Sequence, residues 1–231
     1  MARSKRLALA AELHHVMQRG HNHQSVFVDD PDRARYLSML RDAAAEYGVA
    51  IHAYALTDSQ VHLLATPQQA LDISRLMQSM GRRYVAAFNR RHGRSGTLWE
   101  GRFRTSLIEG PSMGVDALVY VETLPVRSGQ AAGAADWAWS SARHHLGQHR
   151  DPVITEHPAY WSLGNTPFER ELAHAHKVQE GLGPGLCERF ERAVLQGRAV
   201  GSATFVSAVA ERTGIPAQAR PRGRPRQPPS V

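Results

Sequence analysis

Apolar and polar residues alternate along the chain with two different periods. From residue 60 to 66 the period is two: Gln60 and His62 fall on one side, Val61 and Leu63 on the other, as successive side chains of a strand do. Residues 51–56 form a matching apolar run, and Thr57-Asp58-Ser59 supplies the polar turn between the two. Around this strand pair the period lengthens. Tyr36, Leu37, Leu40, Ala44 and Tyr47 stand at helical spacing after an Asp29-Asp30-Pro31 start signal, and Gly48 closes that helix. A second helix is predicted over residues 71–91, with Ile73, Leu76, Met77, Met80, Tyr84, Ala87 and Phe88 on its apolar stripe. Residues 92–96 break it.

Residues 14–18 read as a first strand ended by Arg19-Gly20, residues 26–28 as a short extended piece, and residues 104–108 as a further strand. Gly110-Pro111 then turns the chain into a third helix, over residues 113–124, stopped by Pro125. The succession β-α-β-β-α-β-α fits the α+β class: an antiparallel sheet with helices packed on one face.

Beyond residue 150 the pattern changes. Helical stretches at 167–180, 186–195 and 202–212 are separated by glycines, and residues 204–212 resemble the first half of a small helix-turn-helix. The last residues, RPRGRPRQPPSV, carry arginines and no acid among prolines, a composition that does not bury a core. Three parts are therefore expected: a main domain at 1–150, a small helical region at 165–215 and a basic tail at 216–231. In the tail, Gly223-Arg224-Pro225 resembles the core of an AT-hook. Arg222 and Arg224 would then enter a minor groove, with a plain phosphate-binding tail as the alternative.

Charge narrows the partners. A net charge of +7 favours a polyanion through phosphate neutralisation. Lone Cys187 excludes an intramolecular disulfide and a cysteine-rich zinc site, and reads as a small buried residue. No apolar run approaches the ~20 residues of a membrane helix, and the basic N-terminus reads as a leader into the first strand. No membrane and no small-molecule cofactor are expected, and the cytoplasm is the default location. Seven arginines and one acid lie between Arg82 and Arg104, interleaved with Tyr84, Phe88, Trp99 and Phe103. Tyr84 and Phe88 belong to the apolar stripe. Arg82, Arg83, Arg90, Arg91 and Arg94 form its solvated face and following loop, a combination suited to single-stranded nucleic acid.

The order of His15-Val16, Gln18-Arg19-Gly20, Gln60-Val61-His62, TLWEGRF at 97–103 and Tyr120-Val121-Glu122 with the following Pro125-Val126-Arg127 resembles the REP-associated tyrosine transposases. These are a branch of the single-tyrosine HUH transposases, named for a His-hydrophobe-His pair. The resemblance spans residues 12–150. It implies a ferredoxin-like sheet, a monomer, hairpin-bearing single-stranded DNA from repetitive palindromes as substrate, and Mg²⁺ or Mn²⁺ as cofactor. It also implies strand cleavage and joining through a 5′-phosphotyrosine. Tyr120 takes the place of the nucleophile, and Gln60 and His62 that of the two strand-borne metal ligands. His15, Arg19, Trp99, Arg102 and Arg104 join the arginines above as candidate DNA contacts.

Two positions depart from the family pattern. Gln60 stands where the first histidine is expected, and Leu124 where an asparagine one turn after the tyrosine would ligate. Glu122, about 200° round the helix from Tyr120, does not replace Leu124; Asp58 is an alternative oxygen ligand. An amide and one imidazole make a poor cage for Mg²⁺ or Mn²⁺, so weak metal binding and reduced or absent cleavage are expected. A non-catalytic DNA-binding regulator descended from such a transposase is the second reading. An RNA-binding α+β module is the third, separated from the others by response to the 2′-OH.

Overall fold

The computed structural model describes residues 6–216; the tail arginines Arg222 and Arg224 lie outside them. A βαββαβ unit forms the centre: β1 (Leu13–Arg19), α1 (Asp30–Tyr47), β2 (Val49–Leu56), β3 (Gln60–Pro67), α2 (Asp72–Arg91) and β4 (Arg104–Ile108). Then follow α3 (Gly110–Glu122), α4 (Leu124–Arg127), α5 (Ala142–His145), α6 (Pro158–Trp161), α7 (Pro167–Glu180), α8 (Pro184–Gln196), β5 (Ala199–Val200) and α9 (Ala203–Thr213). The sheet order is β2-β3-β1-β4-β5. All pairs are antiparallel except β4 with β5. The first four strands thus have the ferredoxin-like arrangement expected.

Local chemistry explains the ends of these elements. The Asp29 side chain caps α1 by accepting from Asp32 N, and Gly48 takes the left-handed conformation (φ 62°) at its C-terminal end. In α2 the predicted stripe is buried at Ile73, Leu76, Met77, Met80, Tyr84 and Phe88. Pro125 does not stop the third helix. That helix ends at Glu122, and Pro125 sits in the first turn of α4, where its missing N–H costs no bond.

Strand alternation divides the core into two layers. Val16, Ile51, Tyr54, Val61 and Leu63 face α1 and α2. Leu13, Ala53, Ala55, Leu64 and Ile108 face the other way, towards α3 and α8. A bulge at His52 keeps both patterns in register along β2. The expectation of helices on one face therefore holds for α1 and α2, whereas the second face is covered by α3 and the C-terminal helices. The stretch beyond residue 165 is helical, as its pattern predicts, and packs against the sheet: Phe190 and Val200 lie in one cluster with Tyr120, and Val206 and Val209 with Leu107. The parallel strand β5, two residues long, carries no period of its own. No described helix is long and apolar enough to cross a membrane.

Two buried histidines are held neutral by their burial. His14 Nδ1 meets Glu12 O at 2.7 Å while its Nε2 accepts from Leu9 N. His52 lies between Thr155 O at 2.6 Å and the Thr66 hydroxyl at 2.9 Å. Burial lowers each to about 4, against a weaker raising effect of its backbone hydrogen bond. Because the folded values lie below the unfolded one, the stabilisation is complete above about pH 6.5 and is lost as pH falls towards 4. Each histidine contributes at most about 1.4 kcal/mol per pH unit in that window. Urea midpoints are expected to fall steadily from about pH 7 to 4.5; a flat profile would contradict this.

Candidate active site

The face of β3 that carries Gln60 and His62 is the face covered by α3. His15, on the neighbouring strand β1, points to the same side. Its Nε2 lies 2.9 Å from His62 Nδ1, and His62 Nε2 lies 3.0 Å from Gln60 Oε1. Since the amide oxygen only accepts, His62 donates from Nε2 and its Nδ1 accepts from His15. Tyr120 of α3 packs edge-on against His15, with ring centroids 5.5 Å apart. The Arg127 guanidinium lies 4.3 Å from the centre of the Tyr120 ring and donates to Tyr120 O at 2.7 Å. Phe190 of α8 packs against the tyrosine ring at a tilt, with centroids 5.1 Å apart. The Gln60–His62 pair of β3 and Tyr120 of α3, far apart in sequence, are thus linked through His15.

His15, His62 and Tyr120 are buried, and the Arg127 guanidinium sets positive charge beside them. Burial, aided by Arg127, pushes His15 down to about 3; burial, then His15 and Arg127, push His62 well below the ordinary histidine range. Both rings are neutral at physiological pH. Burial raises the Tyr120 hydroxyl to about 12, and Arg127 offsets only part of the rise. The neutral phenol is therefore the resting form, and a nucleophilic role would require its proton to be removed as it reacts.

The donor set does not fit a hard divalent cation. Its strand-borne pair is one imidazole and one amide oxygen already bonded to each other, and His15 adds only a further nitrogen, where Mg²⁺ or Mn²⁺ prefers several oxygens. Leu124 packs into the apolar cluster around Tyr120, and the helix breaks at Thr123 between the two. Asp58 is bound to Arg33 instead of turning to this site.

Glu122 faces elsewhere and builds a second cluster. Its carboxylate accepts from His145 Nδ1 at 2.6 Å, His174 Nε2 at 2.7 Å and the Ser141 hydroxyl at 2.6 Å. All four side chains are sealed from solvent. Burial alone would raise this carboxyl, but the charges and hydrogen bonds of the two imidazoles hold it well below the carboxylate range. These three groups offer ligand atoms within 4.8 Å of one another and are of kinds that zinc takes. As arranged, the donors satisfy the carboxylate themselves. Neither His145 nor His174 was legible as its partner, because no spacing rule links residues 23 and 52 positions away.

The remaining candidates divide by environment. Arg82, Arg83, Arg90 and Arg102 are exposed and have no ion-pair partner among the described residues. Arg19 pairs with Glu100 at 2.5 Å, and Arg91 clamps Asp29 and Asp32, each at 2.6 Å. Arg94 donates to Gln24, and Arg104 to Leu195 O. Two expected DNA contacts are corrected by burial. His15 is closed to solvent and serves His62. Trp99, 6% exposed, stacks near Tyr84 in the core and does not offer its face to a base.

Residues 11–122 match the family described as IS200-like transposase. Among solved structures, the chain is similar to a REP-associated tyrosine transposase bound to a REP hairpin. The TM-score is 0.54 at 16% identity, covering 69% of this chain and 93% of that one. A second, a candidate transposase from Deinococcus radiodurans R1, gives a TM-score of 0.36 at 20% identity, covering 56% of this chain and 98% of that one. No curated protein sequence matches significantly. The first likeness speaks for the fold; the second adds nothing to it.

The Glu122 cluster yields a direct test. His174→Ala leaves a buried carboxylate short of one donor and is expected to cost roughly 3–5 kcal/mol in urea unfolding. A loss below about 1 kcal/mol would mean that the cluster is not a tie.

Proposed function

We propose that this chain, whose residues 11–122 match the IS200-like transposase family, binds hairpin or palindromic single-stranded DNA. The observation that supports this best is the link of the Gln60–His62 pair to Tyr120 through His15 on one sheet face, in the order of the family's motifs. The unpaired arginines of α2 and the loop after it add the charge such a partner needs. The structure of the same fold held with a REP hairpin makes a repetitive palindrome the substrate we assign.

In the family reaction a tyrosine oxygen attacks the scissile phosphorus. The bond to the 3′ oxygen breaks, that oxygen leaves as a hydroxyl after gaining a proton, and the 5′ phosphate stays on the tyrosine. Tyr120 is our candidate for that oxygen. His15 and Phe190 fix its ring, and Arg127 sets positive charge beside it. The family implies a divalent metal, which when bound would polarise the phosphate, but the Gln60–His62 pair does not suit one. We therefore assign this chain DNA binding with weak or absent strand cleavage. A purely regulatory binding protein is the second reading, and the closed Gln60–His62 hydrogen bond favours it.

The test is a covalent-adduct assay with labelled hairpins in Mg²⁺ or Mn²⁺. The expected result is hairpin binding by wild type with little or no denaturation-resistant band. The Gln60→His, Leu124→Asn variant should give a stronger band, which Tyr120→Phe in that background abolishes. A strong wild-type band lost in Tyr120→Phe would show a working nuclease with unusual ligands. Absence of hairpin binding would defeat the reading altogether.

A further inference from the structure

The sheet ends on β5, and the open edge of that strand floors a groove of about 520 Å³ between α8 and α9. The two helices lie on opposite faces of the sheet. Phe190 and Ala193 of α8 pack in the cluster that holds Ile108, whereas Val206 and Val209 of α9 pack against Leu107, the preceding residue of β4. The groove between them stays open over β5 because its walls carry short side chains at Gly185, Ala193 and Ala203. All of it lies outside residues 11–122, the stretch matched by the family.

Three features decide what the groove suits. The first is backbone. Leu107 N donates to Arg198 O at 3.3 Å and Glu109 N to Val200 O at 2.8 Å. Peptide groups of successive strand residues point to alternate sides. The N–H and C=O of Ala199 therefore turn away from β4 and into the groove, where no described strand meets them. The second is charge. Arg189, Arg192 and Arg198 line the groove against one acid, Glu188, which lies 3.9 Å from Arg192. Arg189 is held at the β5 end by donating to Gly201 O at 2.5 Å. The third is an orphaned donor: Arg198 Nε is buried and has no acceptor among the described residues, although buried polar groups almost always find one.

We propose that β5 takes an extended acidic segment of a partner protein as an additional strand. Ala199 donates its N–H to a carbonyl of the incoming segment and accepts from one of its amides, as in strand addition to a sheet edge. Carboxylates of that segment meet the three arginines in charge-assisted hydrogen bonds. A nucleic-acid strand could satisfy the arginines, but its backbone has no N–H to offer the Ala199 carbonyl. The chain's own residues 217–231 do not suit the groove either, because they carry arginines and no acidic side chain. The inference goes beyond the DNA-binding reading and does not rest on it.

The experiment titrates labelled peptides by fluorescence anisotropy at one fixed salt concentration. One alternates Glu and Val, one alternates Lys and Val, and one is the Glu/Val peptide N-methylated at every amide. Wild type is expected to bind the Glu/Val peptide at least about tenfold tighter than either of the others, the scale of one lost polar or charged contact. Hydrogen exchange at the Ala199 amide should slow in that complex. Arg189→Glu combined with Arg192→Glu, both on an exposed helix face, should abolish the preference for Glu over Lys. The peptide comparison in wild type decides the matter even if that variant fails to fold. Absence of saturable Glu/Val binding up to about 1 mM would overturn the proposal, as would equal affinity for the N-methylated peptide or unchanged exchange at Ala199. A double variant that keeps the peptide but loses affinity for an oligothymidylate strand would give the groove to nucleic acid and overturn it as well.

Discussion

A carboxylate sealed from water must be met by donors, and the Glu122 carboxylate draws them from three places in the chain. Ser141 and His145 come from the turn around α5, and His174 from α7. Glu122 closes α3, the helix that carries Tyr120, so the same bonds fix the candidate nucleophile's helix against the sheet. They also tie the C-terminal helices to the core. Tyr160 extends the arrangement by donating to His145 O at 3.0 Å. A buried ionic group of this kind is weak evidence of net stability. Its effect is positional: the carboxylate tolerates few alternative placements of the three segments around it.

On the opposite side of α3, three polar side chains bond in a line that leaves the buried His15 Nδ1 without a partner among the described residues. His15 donates to His62, His62 donates to Gln60, and the line ends on an amide oxygen. A histidine at position 60 would offer a second imidazole in place of that oxygen. With glutamine there, the free nitrogen of His62 is occupied, and the site gains an internal hydrogen bond at the expense of an open ligand position. Leu124 adds apolar packing beside it. Gln60 on the strand and Leu124 on the helix thereby place a closed hydrogen bond and an apolar contact on this face.

Much of this was legible in the chain. Period-two alternation located β3 and assigned Gln60 and His62 to one face. The α2 stripe was buried at six of its seven predicted positions, because helical spacing and burial are the same constraint seen from two sides. What escaped was non-local. His145 and His174 have no sequence relation to Glu122, and Trp99 looked like a stacking platform until the packing of Tyr84 enclosed it. The short strand β5 exists only because β4 offers it an edge. Pro125 misled for a different reason: proline ends one helix and opens the next with equal ease, and only the break at Thr123 decides between them.

The central claim is that the Gln60–His62 pair, closed on itself, has lost its hold on a divalent cation. Paramagnetic broadening of the His62 imidazole signals during a Mn²⁺ titration tests it most directly, with the Gln60→His, Leu124→Asn variant as comparison. The account predicts no saturable broadening of His62 in wild type under conditions where the variant saturates. Saturable broadening of wild-type His62 at the same Mn²⁺ concentrations would show that the pair opens to take the ion, and the account would be wrong.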